Sequence, residues 1–351
     1  MIFLGDTALP SRTNFNIDNL PEAFNSNCVV ANLEGAIASS EQANLTEHKL
    51  FSNDCVLDFL NKWNVKAVTL ANNHLTDVPE ALDRTLSLLN EKNFQYCGAG
   101  RNIEEARKPA IVEENNKKYV LLAFGWDTVS CKYATEKAAG VNPLEYDNII
   151  GRIRHAKENY PDCGIITLMH WDYELEKYPM PAHRKLAKEL IDFGVEAVIG
   201  HHPHCVQGIE IYKGKPVVYS LGNWFLPQGI YMGGKLNFPD YAREEMAVEI
   251  KDGSITIHWF KYDKTEQKLM FVKSENFSES ERIAELTPFK DMSDAEYATW
   301  FSKHRIKKKL LPIYFNPKSC LDDTIKDSWV KLRQHAINFL FAANLRKRNT
   351  K

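Results

Sequence analysis

The sequence contains no Cys-x-x-Cys pair, although it has seven cysteines, at 28, 55, 97, 131, 163, 205 and 320. That excludes a thiolate zinc ribbon or a dithiol redox motif, and the odd number argues against a disulfide framework. The cysteines read instead as small buried hydrophobes in a reducing compartment. No apolar run approaches the ~18 residues that a membrane-spanning helix needs. The opening MIFLGDTALP has no basic stretch ahead of an apolar one, which predicts no secretory leader and a cytoplasmic station. Internal repeats and low-complexity segments are lacking as well, and with them collagen-like and disordered classes.

What remains is an ordinary globular composition of 351 residues, 44% hydrophobic and 26% charged. At ~150 residues per domain this suits one large domain or two smaller ones. The net charge of −2 is unevenly placed. From Phe301 to Lys351 there are thirteen Lys and Arg against three Asp, so a +10 tail follows a body of about −12. Such a tail suits an anionic partner, a membrane surface as a peripheral site, or the acidic body itself. The acidic body offers no basic groove, which argues against nucleic acid.

Short β-branched apolar runs predict strands at Ile2–Leu4, Cys28–Ala31, Ala67–Leu70, Tyr119–Phe124, Ile165–Met169, Ala197–Ile199 and Val217–Tyr219. Apolar residues at helical spacing predict helices over Pro79–Asn90 and Pro181–Phe193, each opened by a proline. The alternation predicts βαβ units and a layered α/β core. Beyond Asn223, two alternating runs around Asp252-Gly253 predict a hairpin, with Lys268–Lys273 as a further strand. From about Glu279 the chain reads as helical and polar. Ile325, Trp329, Leu332, Ala336, Phe339, Leu340 and Ala343 form one stripe of a final basic helix, expected to pack on the core rather than lie on a membrane.

Polar clusters follow almost every predicted strand of the first two-thirds. They are Gly5-Asp6, Asn32-Leu33-Glu34-Gly35, Ala71-Asn72-Asn73-His74, His170-Trp171-Asp172-Tyr173-Glu174, Gly200-His201-His202-Pro203-His204 and Ser220-Leu221-Gly222-Asn223. In an open α/β sheet the carboxyl ends of the strands form the ligand crevice, so these loops are expected to converge. Carboxylates, carboxamides and imidazoles without thiolate suit Mn, Zn or Fe, one ion or two. His202 and His204, two residues apart in extended chain with Pro203 between, are expected to point to one side. Each cluster alone reads as a cap, a turn or a satisfied core histidine; together they predict a water-activating metal centre.

On these residues the chain resembles the CapA family of bacterial capsule or poly-gamma-glutamate synthesis proteins, within the calcineurin-like metallophosphoesterase superfamily. The resemblance covers roughly residues 1–250, and includes Tyr96-Cys97-Gly98-Ala99-Gly100 and the segment Ile209–Pro216. It implies a four-layer α/β/β/α sandwich over residues 1–275, with residues 276–351 as a helical, basic C-terminal extension. It implies that Asp6 binds a first ion, Glu34 bridges, and Asn73 binds the second ion with His170 and His202, while His204 returns to the first. His74 would assist the leaving group, oriented by Asp77. Asn32, Asn72, Trp171, Asp172, Glu174, His201 and Asn223 would support the ligands or touch substrate. Where the superfamily has a metal-binding histidine two residues after the first Asp, this chain has Ala8, which implies fewer protein ligands for one ion. The implied function is a metal-dependent phosphoesterase-like or amide hydrolase acting on an anionic surface polymer or its precursor. The alternative is a non-hydrolytic accessory subunit of a polymer-synthesis complex.

Overall fold

Strand β1 (Ile2–Thr7) is buried along its whole length, as its continuous apolar run demands of a strand covered on both faces. The computed structural model describes residues 1–11, 17–39, 41–47, 49–306, 311–318 and 321–342. In chain order the strands used below are β2 (Ile17–Asp18), β3 (Val29–Leu33), β4 (Val65–Thr69), β5 (Gln95–Cys97), β6 (Ala110–Glu114), β7 (Lys117–Gly125) and β8 (Gly164–His170). They continue with β9 (Ala197–His201), β10 (Ile209–Tyr212), β11 (Lys215–Val218), β12 (Asn223–Phe225), β13 (Glu244–Lys251), β14 (Ser254–Asp263) and β15 (Lys268–Asn276).

Two sheets result. The first runs β2-β15-β14-β13-β1-β3-β4-β5, with β12 also paired to β1; the second runs β10-β11-β9-β8-β7-β6. Strands β1, β3, β4 and β5 are mutually parallel, as are β7, β8, β9 and β11. The sheets lie against each other, β1 facing β9 and β5 facing β6, and share one hydrophobic core. Helices α1 (Cys55–Lys62) and α2 (Ala81–Glu91) pack on the first sheet, α3 (Tyr146–Asn159) and α4 (Pro181–Asp192) on the second. This is the α/β/β/α layering expected from alternating buried strands and amphipathic helices.

Local chemistry accounts for the boundaries. Pro181 opens α4 at its first turn. The helix expected from Pro79 starts instead at Ala81, because Glu80 takes the left-handed φ of 62° and leaves Pro79 in the preceding turn. Asp252 and Gly253, with φ of 49° and 83°, join β13 to β14 in the two-residue turn that matches strand twist. The six described cysteines are free. Among the described residues no helix is long and apolar enough to cross a membrane.

The segment after β15 is tied to the body. Ile283, Leu286, Phe289, Tyr297 and Phe301 belong to the main core, the last two from helix α5 (Asp294–His304). Arg184 of α4 is buried in a two-pronged pair with Glu210, 2.7 Å at each prong, and its guanidinium stacks 4.7 Å from the Tyr297 ring. The final helix α6 (Leu321–Ala342) corrects the expectation for its apolar stripe. Leu321, Ile325, Trp329 and Leu332 are exposed, at 88%, 70%, 44% and 64%, and Ala336 is exposed too. The side chains of Phe339 and Leu340, and Ala343 altogether, lie outside the described residues. Hydrogen bonds choose the inward face: Asp327 accepts from Tyr314 at 2.6 Å and from Thr128 at 3.0 Å, and Lys331 reaches Asp127 at 2.7 Å.

Candidate metal centre

The carboxyl ends of β1, β3 and β4 in one sheet and of β8 and β9 in the other meet at one rim. Asp6 lies within β1, Glu34 directly after β3, Asn72, Asn73 and His74 beyond β4, His170 at the last position of β8, and His202 directly after β9. Backbone crowding sets Gly5: a Cβ there would stand 2.1 Å from the Gly222 carbonyl oxygen, so only glycine lets β12 approach β1 and pair Asn223 with Asp6. Gly200 does the same for β9, where a Cβ would stand 2.6 Å from the Trp171 indole nitrogen.

One carboxamide gathers the two acids. Asn32 Nδ2 donates to Asp6 Oδ1 at 2.7 Å and to Glu34 Oε2 at 2.5 Å. Asn72 fixes this loop in turn, accepting from Gly35 N at 3.0 Å and donating to the Leu33 carbonyl at 2.8 Å. Asp6, Glu34 and His170 then each present a donor atom, all within 4.8 Å of one another. His170 Nε2 lies 2.8 Å from Asn73 Oδ1, 3.1 Å from His202 Nδ1 and 3.8 Å from Glu34 Oε1. His204 Nδ1 lies 3.1 Å from Asp6 Oδ2 and 2.9 Å from Asn223 Oδ1.

This geometry fits a divalent cation better than it fits a hydrogen-bond network. Glu34 Oε1 and His170 Nδ1 are buried without a partner, and a buried unpartnered polar atom costs about 1–3 kcal/mol. Burial, then the neighbouring imidazoles, hold His170 well below its usual range and push His202 down to about 3, so both rings offer lone pairs. Burial opposes charge on Asp6 too, yet His204 beside it holds that carboxyl well below the usual carboxylate range. Burial and the Asp6 charge push Glu34 upward. Against its own burial, the Asp6 contact raises His204 to about 9. Oxygen and imidazole donors of this kind suit Mn, Zn or Fe. Asp6, Glu34, His170, His202 and His204 are buried, Asn73 and His74 half-buried, and Glu174 exposed.

His202 and His204 converge by a different route from the one expected. Their φ values are 96° and 55°, both left-handed, so a tight turn rather than an extended alternation brings the rings to 5.7 Å. Left-handed backbone at non-glycine residues stores strain of the kind found at functional sites. His74 Nδ1 meets Asp77 at 2.6 Å, and Asp77 also accepts from Leu50 N at 2.9 Å. Burial opposes protonation of His74, but Asp77 outweighs it and raises the ring.

Other expected residues go elsewhere. Trp171 is fully buried, donates to the Tyr219 carbonyl at 3.0 Å and stacks on His183. Asp172 is engaged by His183 at 2.5 Å and by Met180 N at 2.9 Å, not by the donor set. His201 turns into the sandwich and meets the Leu4 carbonyl at 3.3 Å, bridging β9 to β1 beneath Asp6. The charge of Glu174 supports the protonated forms of His202 and His204. Ala8 is packed in a second apolar cluster with Leu226, Tyr231 and Phe238, and the Phe238 ring lies 5.2 Å from His204. Sequence reasoning missed Glu245, a buried carboxyl with an unpartnered Oε2, raised by burial and then by the charge of Asp6. Only the antiparallel pairing of β13 with β1 brings it there, so no local signal marked it.

Comparison with known proteins identifies the family. The family model for the bacterial capsule synthesis protein PGA_cap matches residues 14–228. The chain is 28% identical over 218 residues to the capsule biosynthesis protein CapA of Bacillus anthracis, covering 60% of this chain and 53% of that protein. It is 30% identical over 210 residues to the PGA biosynthesis protein CapA of Bacillus subtilis (strain 168), covering 58% and 54%. The chain thus spans about half the length of these curated relatives. Among solved structures it is similar to a sulfate thiohydrolase, SoxB, of Thermus thermophilus, at 11% identity and a TM-score of 0.39, covering 79% of this chain and 43% of that one. With more than half of its residues matched, the chain belongs to the PGA_cap family of bacterial capsule synthesis proteins.

Proposed function

We propose that this protein is a metal-dependent hydrolase of the phosphoesterase type, acting on an anionic surface polymer such as capsule or poly-gamma-glutamate, or on its precursor. The observation that carries the proposal is the buried set Asp6, Glu34 and His170, whose donor atoms lie within 4.8 Å of one another while Glu34 Oε1 lacks a partner. Asp6 and His204 would hold a first ion, Asn73, His170 and His202 a second, with Glu34 between them. Asn223 Oδ1, 2.9 Å from His204 Nδ1, would be a further oxygen near the first ion, where the histidine replaced by Ala8 is missing. When bound, such ions lower the pKa of a coordinated water and neutralise charge developing in an in-line displacement.

The protein's own groups divide the remaining work. Asn32 keeps two carboxylates together that would otherwise repel, with one N–H for each. His74, whose protonated form Asp77 favours, donates its Nε2 proton to the departing oxygen or nitrogen as water adds to the phosphorus or carbonyl carbon. The phosphoester and γ-glutamyl amide variants of the reading differ in the atom attacked and in that leaving atom.

The test uses metal-free protein reloaded with Mn2+ or Zn2+ and assayed on a generic phosphodiester, a phosphomonoester and a γ-glutamyl peptide. Metal-dependent turnover that disappears in His202→Ala is expected. Protein that takes up no transition metal and stays inert on all three would overturn the proposal. The names of the relatives speak of synthesis, which favours the accessory role as the second reading. Co-purification with a ligase or glycosyltransferase that survives His202→Ala, with no turnover, would select it.

A further inference from the structure

The last helix is mounted inside out. In α6 the spacing of Leu321, Ile325, Trp329, Leu332 and Ala336 places them along one side, and all five are exposed. A soluble helix normally turns such a stripe to its core. Here the opposite side is held to the body by Asp327 on Tyr314 and Thr128, by Lys331 on Asp127 and by buried Asp323 and Val330. Phe315, 44% exposed just ahead of the helix, adds to the apolar surface.

The charges around the stripe indicate what covers it. Of the three acids in the helix, Asp323 is buried and Asp327 is spent on Tyr314 and Thr128, while Asp322 pairs with Lys326 at 2.7 Å. Lys318, Lys326, Lys331 and Arg333 lie along or just before it, and the sequence beyond it reads Arg346-Lys347-Arg348. Apolar side chains including a tryptophan, with Asp323 and Asp327 turned to the body and a basic run following in sequence, match the surface of an anionic bilayer. We propose that α6 docks the protein on an anionic lipid surface, lying in the headgroup plane with Ile325, Trp329 and Leu332 inserted. No helix among the described residues is long and apolar enough to cross a membrane, so this contact is peripheral. The helix is moored to the turn Asp127–Val129, which directly follows β7, and β7 pairs its Gly125 with His170. The docking face therefore sits at the end of the second sheet that carries the candidate metal centre. The inference is independent of the hydrolase reading, because its readout is binding, not turnover.

The test is sedimentation of the full chain with phosphatidylcholine vesicles, with and without phosphatidylglycerol. Binding to the anionic vesicles is expected, weakened at least about tenfold by omitting the anionic lipid, by high salt, or by the triple change Ile325→Ser, Trp329→Ser, Leu332→Ser. These three residues are exposed, so an unchanged circular dichroism spectrum is expected of the variant. A second measurement follows tryptophan quenching by brominated lipid, with a component expected in the wild type and missing in Trp329→Phe. The proposal is overturned if the wild type stays in the supernatant with both vesicles, or if the triple variant binds as well as the wild type. It is equally overturned if the wild type is a dimer that binds no lipid and the triple variant is a monomer, which would make the face a contact between copies.

Discussion

The metal rim and the final helix depart from ordinary packing in opposite directions. At the rim, acids and imidazoles are buried, and two of their atoms lack partners. On α6, four large apolar side chains face solvent while aspartates are turned inward. Each arrangement lowers folding stability by itself, the first through desolvation of polar groups and the second through uncovered apolar surface. Local rules fail at both places, and such failures are expected where something other than the chain completes the structure. On the proposed reading a cation would complete the rim, and an anionic lipid surface would cover the apolar stripe of the helix.

The comparison breaks most readily at the rim. Asp6→Ala would remove a proposed ligand and leave His204 only its Asn223 contact, so metal affinity should fall more than about 10²-fold, past the cost of losing an outer-shell group. Metal content per chain after desalting measures it, and an undiminished content would remove Asp6 from the centre. Asp77→Asn should leave metal content intact and lower kcat/KM by about 10²-fold. Because Asp77 raises His74, its loss also moves the basic limb of the pH–rate profile to lower pH. An unmoved limb would show that His74 is not the acid.

Smaller effects sharpen the contrast. Asn32→Ala frees two carboxylates from one amide and should weaken metal binding by about 10–100-fold, read by competition with a chelating dye. Protons compete with the ion as well: His204 keeps its proton up to about 9, and Glu34 is raised above its usual range. Since ligands must deprotonate, affinity should rise with pH through that window and ion uptake should release protons. Calorimetry in two buffers of different ionisation heat detects the release; a buffer-independent heat would contradict it. At the helix, Leu332→Ser removes no buried contact and should change stability by no more than about 0.5 kcal/mol in urea unfolding. A larger loss would place the stripe against the body after all.

Most of the rim was legible because strand-forming runs end where the polar clusters begin, and parallel strands deliver their carboxyl ends to one edge. That logic carried Asp6, Asn32, Glu34, Asn73, His170, His202, His204 and Asn223 to one place. It did not carry orientation. Trp171 and Asp172 adjoin His170 in sequence, yet His183 on α4 takes both, a contact that no local pattern announces. The left-handed turn at His202 and His204 depends on the strands it joins, and Glu245 depends on the β13–β1 pairing. On α6 the spacing identified the stripe but not the side on which it lies. Asp327 and Lys331 decide that through partners about 200 residues away, Thr128 and Asp127.

Anomalous scattering from crystals soaked in Zn2+ tests the central claim most directly. The account predicts a peak enclosed by Asp6, Glu34 and His170, with oxygen and nitrogen ligands at about 2.0–2.2 Å. A fully soaked crystal with no peak there, or with its peaks confined to surface carboxylates, would contradict it.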